Sequence, residues 1–450
     1  MALTWYYSPV VQVVFLGFVC FCCPGCFNSL SGLGAGGSMS SNVALTDSAN
    51  AALYACFCIV GFFAGSIVNK VGIRPCFTIS SLGYALYSAS LWVYDRKQVG
   101  GFVIAAGAIL GCCAAIFWSA QGAMMMSLPK ENEKGKFVSI FWSLFNLGGI
   151  LGSVITLGLN LENAEAGGVS TNSYIAFVVI MLVGSVLSLG MADLAKVVRS
   201  DGSRVDVVKN TSWKVELQGS LEIWRDWRMV LLFPAFFASN FFYSYQFRVN
   251  AVYYDASTRA LNDTMYWGMQ IFASLAIGYF LDYQGLSRRA RALMALGVMA
   301  LILLAVWIGA FVFQLTFDNN FDQPIHWTSP GFGGPFVLYM LFGFSDALYQ
   351  TYIYWVMGSM SNSTEVLARY AGFYKALQSA GAAVSFGIDA VNIPLKWECL
   401  VSWLLVMVSF PLMAMVANKV PETAVEPELP RDKHTLKDSA VYQEEKHLAY

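Results

Sequence analysis

The sequence predicts an all-α membrane protein of about 12 transmembrane helices, arranged as two six-helix bundles. Three observations carry that expectation. The 450 residues are 57% hydrophobic and only 12% charged, with mean hydropathy +0.56, whereas soluble domains carry about 25% charged residues. Twelve stretches are each long enough to cross a bilayer core, which takes roughly 20 apolar residues. A loop pattern in the first half of the chain also returns in the second.

The expected spans lie near 7–31, 47–68, 75–94, 101–125, 136–160, 173–195, 229–252, 264–281, 290–315, 334–358, 367–389 and 397–418. The longest polar internal segment separates the sixth from the seventh. The chain therefore divides into an N-terminal bundle (1–195), a linker loop (196–228), a C-terminal bundle (229–418) and a charged, Pro-containing tail (419–450) expected to be disordered. The N-terminus has neither a basic n-region nor a cleavage site, so the first span is expected to be retained. Lys and Arg bias in short loops sets orientation. With the N-terminus inside, the inside loops hold 16 basic residues, from Lys70 and Arg74 through Lys130, Lys134 and Lys136 to Arg369, and the outside loops hold four: Arg96, Lys97, Arg259 and Lys396. Both termini are expected in the cytoplasm. Plasma membrane and endomembrane are not distinguished.

The recurring loop follows the second and eighth spans. It reads "GSIVNKVGIRP" with Gly65, Asn69, Gly72 and Arg74, then "GYFLDYQGLSRR" with Gly278, Asp282, Gly285, Arg288 and Arg289. Small residues permit close helix approach, and an acid facing basic residues makes a latch between helices. The pattern resembles the G-x-x-x-D-R/K-x-G-R/K-R/K signature of the major facilitator superfamily. The resemblance implies the major facilitator fold, with spans 1, 4, 7 and 10 around a central cavity. Asn69 stands where the superfamily has Asp, so the first latch is expected to be weaker than the one at Asp282.

A narrower resemblance lies in spans 4 and 5, "FWSAQGAMMMSLPKENEKGKFVSIFWSLFNLGGILG", through Trp118, Gln121-Gly122, Lys134-Gly135, Phe141-Trp142, Phe145-Asn146, Gly148 and Gly149. With "FNSLSGLGAGG" after span 1 and "GFSDALYQTYIYWVMG" in span 10, these residues are similar to the UNC-93-like family. The resemblance implies the transporter fold. It leaves function open, because some members regulate ion channels or escort other membrane proteins and others are linked to ion or solute movement.

Charges within spans are costly and point to function. Arg248, Asp346 and Lys375 stand out, all in the second half. Four-residue spacing groups Asn240, Ser244 and Arg248 on span 7, Asp346, Gln350 and Tyr354 on span 10, and Lys375 with Gln378 and Ser379 on span 11. At about 1.5 Å rise per residue, Asp346 lies roughly 18 Å from the outer end of its span, Lys375 roughly 12 Å from the inner end, and Arg248 about 6 Å from the outer end. Depth thus pairs Asp346 with Lys375 and sends Arg248 outward, to snorkel or to meet Asp389. Asp346, Lys375, Arg248, Gln350, Asn240 and Gln121 are the substrate or coupling candidates, with Asp346 as a protonatable group. A fixed pair ordering spans 10 and 11 is the competing reading. Amides such as Gln121, Asn146, Asn28, Gln246 and Gln270 commonly hydrogen-bond between helices.

Other patterns carry less. Cys23-Pro-Gly-Cys26 has redox spacing and Gly32-Leu-Gly-Ala-Gly-Gly37 has dinucleotide-loop spacing, but a dinucleotide loop follows a short strand and opens a helix. Here both lie at the end of an apolar span. Pro24 and Gly25 are expected to kink it, and Asn28, Gly32, Gly34 and Gly37 to form its hinge-like outer end. The ten cysteines sit in or beside spans, and the three histidines are dispersed. No metal site or cofactor is expected, and no catalytic constellation or nucleic-acid partner. Of three Asn-x-Ser/Thr sequons, only Asn262 falls outside, which makes it the glycosylation candidate. The leading reading is a carrier of a small molecule or ion, moved by alternating access in the lipid bilayer. The alternative is a non-transporting partner of another membrane protein.

Overall fold

The computed structural model describes residues 5–32, 43–160, 171–205, 212–320 and 323–423. Gly34, Gly37 and the tail from 424 onward lie outside them. Among the described residues the chain is helical, without a β-strand.

The first span is α1 (Pro9–Cys20), a π-helical turn (Phe21–Gly25) and α2 (Cys26–Gly32). Ser8 caps α1 by accepting from the Val11 N–H at 3.4 Å, and Pro9 at the first helical position loses no bond. Pro24 has no N–H to give and its ring displaces the carbonyl four residues back, so the wider π-turn absorbs the mismatch. The regular α-helix is therefore interrupted at Pro24, where a kink is expected. Beyond it, Asn28 faces a central cavity and Gly32 ends the helix.

Spans 2 to 5 are single helices, α3 (Val43–Val71), α4 (Ile73–Lys97), α5 (Gly100–Ser127) and α6 (Lys134–Asn160). Gly72 between α3 and α4 has φ +96°, a conformation that needs glycine. Span 6 is α7 (Thr171–Ser188), shorter than the expected 173–195. Gln12 explains its end: it donates to the Tyr6 carbonyl at 2.7 Å and accepts from the Ala192 N–H at 2.8 Å, which holds the following residues in a turn. The linker contributes α8 (Trp213–Glu222).

Span 7, expected as one helix over 229–252, is instead α9 (Trp227–Leu231), α10 (Phe233–Ala238) and α11 (Tyr243–Tyr253). Pro234 opens α10, and the turns at Ser239–Phe242 put irregular backbone at Asn240, which lines the central cavity. Backbone of this kind inside a membrane protein is tolerated where it borders a cavity. Single helices complete the fold: α12 (Ala256–Leu281), α13 (Arg288–Asn320), α14 (Gly333–Met360), α15 (Thr364–Ala390) and α16 (Leu395–Ala417). Among the described residues six spans are apolar and long enough to cross a membrane by composition alone. The others include α12, α14 and α15, whose internal polar groups lower their hydropathy.

Two seams join the halves, α3 against α15 and α6 against α12. Glycines let the backbones touch. A Cβ on Gly65 would lie 2.5 Å from the Ala368 carbonyl oxygen and 2.6 Å from Arg369 Cα, and one on Gly135 would strike the Gly278 carbonyl. Gly65→Val should drive α3 from α15 and remove the monodisperse species in size-exclusion chromatography, overpacking costing about 1–3 kcal/mol or more. Gly297→Val, at a site where an added Cβ meets nothing within 4 Å, should leave that species intact.

Candidate functional site

The cavity between the halves measures about 70 Å³ and is walled by α2, α3, α4, α5 and α6 on one side and by Asn240, Tyr243, Gln350, Lys375 and Gln378 on the other. That volume holds a few waters. Behind the wall lies Asp346, 1% exposed. Its Oδ2 accepts from Tyr243 Oη at 2.8 Å, Gln270 Nε2 at 3.1 Å and Tyr266 Oη at 3.4 Å, and its Oδ1 accepts from Gln350 Nε2 at 2.6 Å.

Lys375 does not pair with Asp346 directly, contrary to the depth argument. Two amides stand between them. Lys375 Nζ donates to Gln378 Oε1 at 2.6 Å, Gln378 Nε2 to Gln350 Oε1 at 2.9 Å, and Gln350 reaches Asp346. Depth along two helices fixes level but not the width of the gap, and here that gap is two glutamines wide. The ammonium also sits over the rings of Trp118 (4.6 Å), Tyr374 (4.8 Å) and Tyr354 (5.3 Å), each a favourable cation–π contact. Tyr354 Oη donates to Gln121 Oε1 at 2.9 Å across the halves, and Trp142 Nε1 to Gln270 Oε1 at 2.9 Å. Asn240 Oδ1 has no hydrogen-bond partner. Asp346, Lys375, Gln350, Asn240 and Gln121 thus form one connected region.

Arg248 lies elsewhere, bonding Asp389 at 2.6 Å, as depth suggested, and also Glu398 at 2.9 Å. It closes an ion cluster between the middle of α11 and the adjoining ends of α15 and α16. Asn262 is fully buried within α12 and donates to Asn250 Oδ1 at 3.0 Å. The fold therefore offers no amide for a glycan there, and this corrects the expectation from the sequon. The cysteines of the first span are buried in helix walls, with Cys23 Sγ donating to the Met181 carbonyl at 3.5 Å.

The end of the bundle that carries the basic loops is closed. Asp282 Oδ1 and Oδ2 accept from the N–H groups of Gly135 at 2.9 Å and Lys136 at 2.6 Å, capping α6 from the other half. Lys134 Nζ caps α14 in return, donating to Ser361 O at 3.2 Å and Asn362 Oδ1 at 3.0 Å, and it also reaches Gly358 O. Arg288 binds Glu131 across the halves at 3.2 Å, and Arg289 meets Asn418. Gly278 lies where α12 meets Gly135, and Gly285 packs on Tyr283.

The other latch is built differently. Asn69 donates to Glu365 O at 3.3 Å and to Glu216 Oε2 at 3.0 Å, while Arg74 and Gly72 border a separate surface pocket. Glu216 comes from α8, is fully buried, and pairs with Arg369 at 3.0 Å. Ser66 Oγ donates to the Glu216 carbonyl at 2.8 Å. The linker thus supplies the acid that Asn69 lacks.

Burial pushes Asp282, just beyond the end of α12, up to about 6, against the pull of the Lys136 and Gly135 amides, Arg291 and Trp355. A carboxyl raised on folding adds stability that is complete below its unfolded value near 3.8 and is lost as pH rises through about 6. Wild-type protein should therefore melt progressively lower relative to Asp282→Asn as pH rises across that window. A constant difference between their melting temperatures from pH 4 to pH 7 would show that Asp282 is solvated in the folded state.

Sequence reasoning missed four residues. Asp263 is fully buried on the α6–α12 seam, accepts from Trp267 Nε1 at 2.9 Å and meets Ser153 Oγ. The expected span begins at 264 and leaves it outside, although Asp255, whose side chain accepts from the Thr258 N–H, signals an earlier helix start. Glu216 and Glu398 sat in segments read as loop and helix end. Lys134 stands in the sequence as a loop charge and as part of the family resemblance, with no sign of its contact across the halves.

Helices joined along two seams around a cavity that carries a lysine and several amides make a carrier-type membrane fold, and the chain belongs to the Major Facilitator Superfamily, whose family model matches residues 10–386. The fold aligns with the proton:xylose symporter XylE at a TM-score of 0.62 and 11% identity, covering 93% of this chain and 98% of that one. Within the superfamily it belongs to the UNC93-like family. UNC93-like protein 1 of Arabidopsis thaliana is 41% identical over 91% of this chain and 90% of its own length. UNC93-like protein C922.05c of Schizosaccharomyces pombe is 42% identical over 86% of this chain and 78% of its own.

Proposed function

We propose that the protein carries a small solute or ion by alternating access, with both termini in the cytoplasm, and that Asp346 couples the cycle to protons. The bundles 1–195 and 229–418 rock about the cavity, and the latches at Asp282 and at Asn69, Glu216 and Arg369 hold the cytoplasmic end shut. The single observation that carries this reading is the chain from Asp346 through Gln350 and Gln378 to Lys375 at the cavity wall. A pair serving only to order α14 and α15 would bond directly, whereas here each charge is held apart by amides that a cavity occupant can reach. A membrane partner with no transport role has no use for a cavity lined by a cation and amides.

The test is tagged localisation together with uptake and efflux profiling of a deletion strain, complemented by wild-type protein or by Lys375→Gln. Altered flux of at least one solute, restored by wild type and not by the variant, supports transport. Wild-type fluxes across a broad solute panel would remove it and favour the partner role.

A further inference from the structure

The cavity presents one full charge, and it is positive. Lys375 is 4% exposed and lines the cavity, its ammonium enclosed by three rings and a single amide oxygen. Among the described residues it makes no ion pair. An ammonium has three donors, and one conventional acceptor is a poor set for a cation withdrawn from water. Asp346 is screened from the cavity by Tyr243 and Gln350 and already receives four hydrogen bonds. The cation is therefore the group left for an occupant. Beside it Asn240 Oδ1 is an acceptor without a donor, and Trp118, Phe57 and Tyr243 supply ring faces.

We infer that the substrate is a small organic monoanion, a carboxylate that also bears a hydroxyl or N–H donor, and that it crosses together with one proton. This deepens the transport reading and rests on it. The anion meets Lys375 Nζ, its donor meets Asn240 Oδ1, and its apolar body lies on the rings.

Charge balance supplies the stoichiometry. Empty, the cavity region holds Lys375 positive and Asp346 negative, which sum to zero. An anion alone would make the sum −1 in a low-dielectric site, a state that is costly to carry across a membrane. A proton from the entry side, bound at the Asp346 carboxylate, restores zero, and it leaves with the anion on the other side. Both the loaded and the empty forms can then reorient. The titratable and charged groups around Asp346 are Tyr243 on α11, Tyr266 on α12, and Tyr374 and Lys375 on α15, with Tyr339 on its own helix and Asp263 on α12 lying beyond Tyr266. Asp263 is the other carboxyl among them, and it lies on the α6–α12 seam rather than in the cavity wall.

The test begins with binding, which needs no transport. Purified full-length protein in detergent is titrated with acetate, lactate, benzoate and salicylate, with benzamide as a neutral match and benzyltrimethylammonium as a cation, reading intrinsic tryptophan fluorescence. At least one carboxylate should bind at least about tenfold tighter than benzamide, as expected for a hydrogen bond to a charged group. Lys375→Gln should lose that preference and Lys375→Arg should keep most of it, both being checked for a monodisperse elution profile. Proteoliposomes then report proton movement with the preferred carboxylate. One proton per anion and no membrane current are expected, unchanged in Asp263→Asn. Tighter binding of benzamide or of the cation, or a carboxylate preference that survives Lys375→Gln, overturns the inference while leaving transport standing. Carboxylate binding that depends on Lys375, with no flux of any probe, overturns the transport reading and the stoichiometry but keeps the anion site.

Discussion

Asp346→Asn is expected to abolish proton-driven accumulation while purified protein stays folded and monodisperse. The side chain keeps its size, and an asparagine oxygen can still accept from Tyr243 and Gln270, so the buried network loses a charge rather than its shape. What disappears is the ability to take and release a proton as the cavity fills and empties. Net uptake against a gradient should fall by at least about tenfold, since removing an interaction made only in the loaded state is worth about 1.4 kcal/mol or more. It should also lose its dependence on external pH. Asp346→Ala should in addition unfold more readily, because four buried donors would face a methyl group, each unmet donor costing about 1–3 kcal/mol. Initial uptake rates from pH 5 to pH 8 in wild type and Asp346→Asn provide the measurement. Overlapping pH profiles and equal accumulation would remove Asp346 from the coupling mechanism.

Arg369→Ala is expected to produce the largest loss of stability. Arg369 is 4% exposed, binds Glu216 at 3.0 Å and also pairs with Glu365. Removing it leaves the fully buried Glu216 carboxylate facing a second acid, and breaking a buried pair by removing one partner costs about 3–5 kcal/mol. The melting temperature should drop, and the basic end of the bundle should become accessible to thiol reagents at a cysteine placed at Gly358. Replacing all three charged groups, as Arg369→Met, Glu216→Leu and Glu365→Gln, should recover much of the loss, because no unpaired charge then remains. Equal melting of the single variant and wild type would show that this contact does not hold the end shut.

The fold was readable because it is written in long apolar runs and in a loop pattern that occurs twice. Those signals are local and survive any packing arrangement. Breaks in the pattern were harder to read. Pro24 announced its π-turn, but the fragmentation of span 7 depends on Asn240 bordering a cavity, and a cavity exists only after the helices assemble. The same limit governed the site. Asp346 and Lys375 were found because a charge in a span is conspicuous, and Arg248 to Asp389 followed from depth. The two intervening glutamines were not foreseen, since the lateral distance between α14 and α15 appears nowhere along the chain. Asn262 illustrates the converse: the sequon is real in sequence, but the helix start lies earlier than the apolar run and takes the amide indoors.

The segment joining the halves has a further consequence. A tether that merely keeps two bundles together acts through length and stiffness, which set an effective concentration, and any flexible chain of equal reach would serve. Here α8 places Glu216 between Asn69 of one half and Arg369 of the other, with Gly219 against the Arg369 guanidinium. The joint is thus a third packing partner whose residues matter as much as its span. A glycine-serine replacement of the same length would preserve connection and still dismantle the clasp.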